Sequence, residues 1–211
     1  MSLIHHCLWL CWLCLCVVLS ACGSDQSNHL PAQSKVLILG DSLTQGVGAS
    51  DQSHTYPHLL EQHSRWQVIN GGISGNTSEQ ALQRLPELLK THQPQLVIIS
   101  IGGNDFLQRK PTNQTMINIS QSITLSQQSG AEVLLVAVPY LSLAAAVGHP
   151  KDHKMYQQLA QQHQVPLLED AWSDVLGDKS LRSDAVHAND QGYAEFHEQL
   201  VKKLEQIGWL K

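Results

Sequence analysis

After Cys22 the chain has no cysteine, and before Asp25 it has no Asp, Glu, Lys or Arg. The first absence excludes a disulfide framework from the body, because Cys7, Cys11, Cys14, Cys16 and Cys22 all stand at the start. The second leaves Cys7 to Leu19 as an uninterrupted apolar run. A bilayer-spanning helix needs roughly 20 apolar residues, so this run is short for an anchor and long enough for the core of an export signal. Positive charge is also scarce: the formal net charge is −5, which excludes a basic surface for nucleic acid or an anionic membrane. No His-Glu-x-x-His and no paired-cysteine spacing accompanies the 12 histidines, so they read as scattered surface side chains. No metal and no cofactor are expected. Gly40 to Gly46 lacks the lysine of a phosphate-binding loop.

The tetrad Leu19-Ser20-Ala21-Cys22 resembles a bacterial lipobox. The resemblance implies a signal peptide over residues 1–21, cleavage before Cys22 and a diacylglycerol on the Cys22 thiol. The amino terminus, His5 and His6 stand where that pattern normally has Lys or Arg. Two or more acyl chains make a stable membrane anchor where one gives only marginal binding. Gly23 lacks the Asp that retains lipoproteins at the inner membrane, which points to the bacterial cell envelope, on the periplasmic side of the outer membrane in a Gram-negative cell. Residues 22–34 are polar without apolar periodicity and read as a flexible tether.

From residue 35 to 211 the length suits one domain. The runs Val36-Leu37-Ile38-Leu39, Trp66-Gln67-Val68-Ile69, Leu96 to Ile101 and Val133 to Val138 suit strands buried on both faces. Between and after them lie helical candidates at about 54–62, 78–91, 112–129, 151–164 and 191–207. Leu82, Leu85, Leu88 and Leu89 form one apolar helix face, and Pro86 within it predicts a kink or a local break. The alternation predicts an α/β fold with a parallel sheet, right-handed crossovers and helices on both sides.

In such a sheet the ligand site lies beyond the carboxyl ends of the strands. Those ends carry Gly40-Asp41-Ser42-Leu43, then Asn70 to Thr77, then Gly102-Gly103-Asn104-Asp105; Asp184-Ala185-Val186-His187 stands ahead of the last helix. Taken singly each has a plainer reading: a helix cap at Asp41 or Ser42, flexible turns at Gly75 and Asn104, and a solvated carboxylate or capping histidine at Asp184 and His187. All four occurring in order at strand ends weaken those readings together.

In this combination the chain resembles the SGNH hydrolases, and within them the thioesterase I/lysophospholipase and arylesterase-like group. The similarity runs from about Lys35 to the C-terminal helix and includes Ile73-Ser74-Gly75-Asn76-Thr77 and Leu85-Pro86-Glu87-Leu88-Leu89. It implies a three-layer α/β/α, flavodoxin-like sheet of five parallel strands in the order 2-1-3-4-5. It also implies Ser42 as nucleophile, Asp184 and His187 as the rest of a catalytic triad, and Ser42, Gly75 and Asn104 as the oxyanion hole. The chemistry asks for these residue types. A serine hydroxyl needs a base, a base needs an orienting carboxylate, and the tetrahedral oxyanion needs preorganised donors. Ala188 stands where the family commonly has proline after the histidine, which predicts a looser loop. Asp41 and Asp105 are expected to serve locally, bonding turn amides and capping the next segment.

Phe106, Leu107, Tyr140 and Leu141 are candidates for the border of an acyl pocket. The expected substrates are lysophospholipids, fatty-acyl esters or aryl esters, with thioesters possible in principle, and the expected assembly is a monomer. A carbohydrate O-acetylesterase of the same mechanism is the alternative enzyme, and a lipid-anchored binding protein without turnover the alternative class.

Overall fold

The computed structural model describes residues 29–140 and 150–211. The expected signal segment 1–21, Cys22 and Leu141 lie outside the described residues. Five parallel strands form one sheet in the order β2-β1-β3-β4-β5, from β1 (Lys35–Gly40), β2 (Gln67–Gly72), β3 (Leu96–Ser100), β4 (Glu132–Val136) and β5 (Leu167–Leu168). Val36, Leu37, Ile38 and Leu39 are fully buried, as an apolar run between two neighbouring strands requires. Burial of each such side chain is worth about 1.5 to 3 kcal/mol.

One helical layer consists of α3 (Ser78–His92), α5 (Thr112–Gln128) and α6 (Met155–His163). The other consists of α2 (Tyr56–Ser64), α7 (Ala171–Gly177) and α8 (Asp190–Gln206). Two short helices, α1 (Ser42–Gln45) and α4 (Gly103–Leu107), begin directly at the ends of β1 and β3. The second layer is pinned by aromatic packing: Trp172 stacks on Phe196 at 3.7 Å between ring centroids, and Tyr56 meets Phe196 edge-on at 4.7 Å. Among the described residues no helix is long and apolar enough to cross a membrane.

Three features differ from the sequence expectations. Residues 29–34, the described part of the expected tether, are bonded to the body: Leu30 donates its N–H to Trp209 O at 3.0 Å, Trp66 Nε1 donates to Leu30 O at 3.3 Å, and Gln33 N donates to Arg65 O at 2.9 Å. Backbone bonds hold this segment, and they leave no trace in apolar periodicity. The second difference is that α3 runs through Pro86 without a break. Pro86 is exposed on the outer side, while Leu85 and Leu89 are buried on the inner one, so water can serve the carbonyl that the missing N–H leaves free. The third is Asp105, which caps a segment before it and not after it. Its carboxylate accepts from Ser78 N at 2.8 Å and Ser78 Oγ at 2.6 Å, at the start of α3, and from Thr115 Oγ1 at 3.2 Å.

Proline in a helix interior costs about 3 kcal/mol relative to alanine. Pro86→Ala is therefore expected to raise the free energy of urea unfolding by about 1 to 3 kcal/mol; a destabilised Pro86→Ala variant would show that the ring is packed and not merely tolerated.

Candidate active site

The site starts with the register of three strand ends. Gly40 lies level with Gly72 of β2 and Ser100 of β3. A side chain on Gly40 would overlap Thr44 and approach the Ser100 carbonyl, so α1 folds back over the strand end only because residue 40 is glycine. Three buried tyrosines then fix the turns. The Tyr56 and Thr44 hydroxyls are 2.7 Å apart, Tyr193 OH donates to Val47 O at 2.7 Å, and Tyr156 OH donates to Ile101 O at 2.8 Å.

Asp41 caps α1, its Oδ1 accepting from Leu43 N at 3.1 Å as expected of a turn carboxylate. Burial pushes its carboxyl up to about 6, against the downward pull of the Leu43 N–H and of His187. The next residue, Ser42, is 9% exposed, and its Oγ lies 3.0 Å from His187 Nε2. His187 Nδ1 in turn lies 2.8 Å from Asp184 Oδ2. Asp184 Oδ1 accepts from Val186 N at 2.8 Å and His187 N at 2.9 Å, so one carboxylate holds both the loop and the ring. Partial burial raises the Asp184 carboxyl, but the His187 ring, its charge and these two amides together leave it below the ordinary aspartate value. Ser42, His187 and Asp184 thus form one hydrogen-bonded chain, in which a proton on Ser42 Oγ has an acceptor within reach and that acceptor has an orienting partner.

The loop that follows Asp184 is not loosened by Ala188. Arg182 and Ala188 face each other in an antiparallel bridge, whose bonds run from Ser183 N to His187 O at 3.0 Å and from Asn189 N to Leu181 O at 2.9 Å. Neither bond uses the Ala188 N–H, so a proline there would remove no hydrogen bond of this bridge.

Gly75 follows β2 in a turn closed by Asn76 N donating to Ile73 O at 3.1 Å, with φ of +79° at Gly75 and open space where a Cβ would stand. Asn104 Nδ2 donates to Asn76 O at 3.0 Å and, at 3.4 Å, to Asp41 Oδ2. The Asn76 carbonyl has no proton to give, which fixes which end of the amide is nitrogen. Among the described residues neither Ser42 N, at the first position of α1, nor Gly75 N meets a protein acceptor. Ser42, Gly75, Asn104 and His187 line one cavity of about 240 Å³, with Leu43, Leu107, Val138 and Val186 as its apolar walls.

Of the proposed pocket-border residues, Leu107 lines this cavity. Phe106 does not: it is buried and stacks on His153 at 5.1 Å, with the half-exposed Tyr140 ring against both at 5.2 and 5.8 Å. The helical period of α4 separates the two neighbours, turning Leu107 to the cavity and Phe106 to the core. Val138 and Val186 are wall residues that sequence reasoning passed over. Val138 lay within a run read only as strand, and Val186 between the two residues of a motif.

Known proteins resemble this chain in sequence and in fold. Residues 38–195 match the GDSL-like Lipase/Acylhydrolase family. The thioesterase 1/protease 1/lysophospholipase L1 of Escherichia coli K12 is 36% identical over 187 residues, covering 83% of this chain and 86% of that protein. An arylesterase of Vibrio mimicus is 34% identical over 199 residues, covering 90% and 98%. Among solved structures, the psychrotrophic esterase EstA of Pseudoalteromonas sp., inhibited by monoethylphosphonate, superposes with a TM-score of 0.71 at 25% identity, covering 82% of this chain and 97% of that one. A match over most of the chain, relatives above one third identity and the same five-stranded order leave one assignment: this chain is an ester-hydrolysing member of the GDSL-like lipase/acylhydrolase family, with the SGNH hydrolase fold.

Proposed function

We propose that the protein hydrolyses carboxylic esters through an acyl-enzyme on Ser42. The observation that carries this reading is the chain Ser42 Oγ to His187 Nε2 to Asp184 at 3.0 and 2.8 Å, placed at the wall of the cavity that also holds Gly75 and Asn104. As Ser42 Oγ attacks the ester carbon, its proton passes to His187 Nε2 and the carbonyl electron pair moves onto oxygen. Collapse of that intermediate breaks the bond to the alcohol oxygen, which leaves with the proton from Nε2. Water then repeats the two steps on the acyl-enzyme. The oxyanion is met by the N–H groups of Ser42 and Gly75 and by Asn104 Nδ2. A full negative charge there outcompetes Asp41 for the Asn104 amide, because the Asp41 bond is the longer of the two that Asn104 makes.

The cavity favours a modest acyl group. Pockets that enclose drug-sized ligands run from about 300 to 1,000 Å³, and this one, at about 240 Å³, is smaller and bounded by aliphatic side chains. We assign lysophospholipid, fatty-acyl or aryl esters as the substrate class, with the alcohol part and any long chain extending outside; the names of the E. coli and Vibrio relatives support that class, and the first of them extends it to thioesters. The same small volume favours a second reading, an O-acetylesterase.

A lipid anchor on Cys22 completes the proposal. Seven residues, Cys22 to Asn28, precede the first described one, and a chain of that length reaches at most about 25 Å. His29 to Ser34 dock beside Arg65, Trp66 and Trp209, ahead of the first residues of β1 and β2. The anchor would therefore hold the body by the pole opposite the cavity.

Four measurements test these statements. Mass spectrometry after a fluorophosphonate is expected to find one adduct, on Ser42, and Asn104→Ala is expected to lose about 100- to 1000-fold in kcat; folded protein without the adduct overturns the mechanism, and an Asn104→Ala variant within threefold of wild type removes Asn104 from the oxyanion hole. A series of nitrophenyl esters from acetate to laurate is expected to peak beyond acetate, while a sharp acetate optimum selects the O-acetylesterase. Cys22→Ser is expected to abolish incorporation of labelled fatty acid into the protein in the producing bacterium, and continued lipid labelling of that variant sinks the anchor.

A further inference from the structure

Arg84 spends its charge in an unusual way. It is half-buried on α3, and its Nε donates to Asn76 Oδ1 at 3.0 Å while its Nη2 donates to Gly40 O at 2.8 Å. Both acceptors are neutral. Among the described residues no carboxylate lies within ion-pair distance of it, and burial draws its pKa below the ordinary arginine value. A cation removed from water without a counter-ion is a poor device for stability alone. What it joins is informative. Gly40 is the last residue of β1, immediately before Asp41 and Ser42; Asn76 immediately follows Gly75 and accepts the Asn104 amide through its carbonyl. One planar guanidinium therefore ties the nucleophile's strand end to the Gly75 turn, and Asn76 passes the connection on to Asn104.

We propose that Arg84 is the positioning residue of the oxyanion hole, setting the Gly75 N–H and the Asn104 amide in register with Ser42. The inference rests on the serine-esterase reading above. Among the described residues two other side chains touch these segments: Asn104 Nδ2 reaches Asn76 O and, at 3.4 Å, Asp41 Oδ2, but it is one of the groups to be positioned, and Gln45 Oε1 accepts from Ser74 N at 2.6 Å on the near side of the same turn without reaching Asn76 or Gly40. The fork matters more than the charge, since two diverging N–H donors in one plane fix a distance and an angle that a single ammonium cannot. A misplacement near 1 Å of groups that act on the transition state costs on the order of 100-fold in rate. Because the oxyanion forms only after attack, the loss falls on kcat and spares KM.

The test is steady-state kinetics of Arg84→Lys and Arg84→Ala with nitrophenyl butyrate, with thermal unfolding followed in parallel and Lys90→Met as control. Lys90 lies on the same helix and is exposed, with only a 4.0 Å contact to Glu87, so its variant reports any general effect of altering α3. We expect Arg84→Lys to remain folded and lose about 10- to 100-fold in kcat, with KM within threefold and an unchanged pH profile, since Asp184 and His187 are untouched. We expect methylguanidinium to restore at least fivefold of the rate of Arg84→Ala without changing that of wild type. If Arg84→Ala does not fold, Arg84→Lys decides alone. An Arg84→Lys enzyme with kcat within threefold of wild type overturns the proposal, as does a loss that disappears when the assay is cooled well below the variant's unfolding midpoint. The fluorophosphonate adduct on Ser42 in wild type separates the two claims: its absence sinks the esterase mechanism, whereas its presence beside a fully active Arg84→Lys sinks only the role of Arg84.

Discussion

The site depends on the parallel pairing of β1 between β2 and β3, which sets Gly40, Gly72 and Ser100 level with one another. The proposed nucleophile and oxyanion donors are counted from that line, whereas Asp184 and His187 come from the loop ahead of α8. Ser42 stands two residues beyond Gly40, Gly75 three beyond Gly72 and Asn104 four beyond Ser100. A slip of one strand by one residue would turn its apolar side chains to the wrong face and displace one donor by about 3.3 Å. The apolar run of β1 resists such a slip, because each of its four middle residues is fully buried. Burial energy in the strands thereby becomes positional precision at their ends.

Beyond the strand ends the hydrophobic effect has little left to organise, and polar bonds take over. Asp41 caps α1, Asp105 caps α3 from the neighbouring turn, Arg84 spans two segments, and the hydroxyls of Tyr56, Tyr156 and Tyr193 each hold a backbone or side-chain oxygen of a strand-end turn. A typical bond of this kind contributes only about 0.5 to 1.5 kcal/mol, yet leaving its buried partner unmet costs about 1 to 3 kcal/mol. The network therefore adds modest stability and strongly disfavours any other arrangement of the turns. The raised carboxyl of Asp41 shows that asymmetry: burial disfavours its charge, and the cap and His187 offset only part of the cost.

This division explains what could be read in advance. The strands, the longer helices and the motifs at strand ends are local patterns of burial and turn chemistry, so the sequence displays them. Strand order and the pairing of Ser42 with His187 came from family resemblance and not from periodicity. The two residues of β5 and the seven of α7 are too short to show a period. Arg84 was invisible for a different reason. An arginine on an amphipathic helix looks like any solvated side chain, and only the tertiary fold reveals that its partners are Gly40 and Asn76. Phe106 and Leu107 were grouped because they are adjacent, although α4 separates them by about 100° and sends one to the core and one to the cavity.

The polarity of the sheet has a further consequence for how the enzyme is presented. All five strands run the same way, so the chain enters β1 at one pole and the reacting groups gather at the other. Six residues of β1 at about 3.3 Å each separate the poles by roughly 20 Å. Residues 29–34 are bonded at the entry pole to Arg65 and Trp209 and do not wander toward the cavity. Residue 29 therefore stands at the pole away from Ser42. The parallel pairing that brings the three strand ends level thus also separates the docked residues 29–34 from the cavity at Ser42.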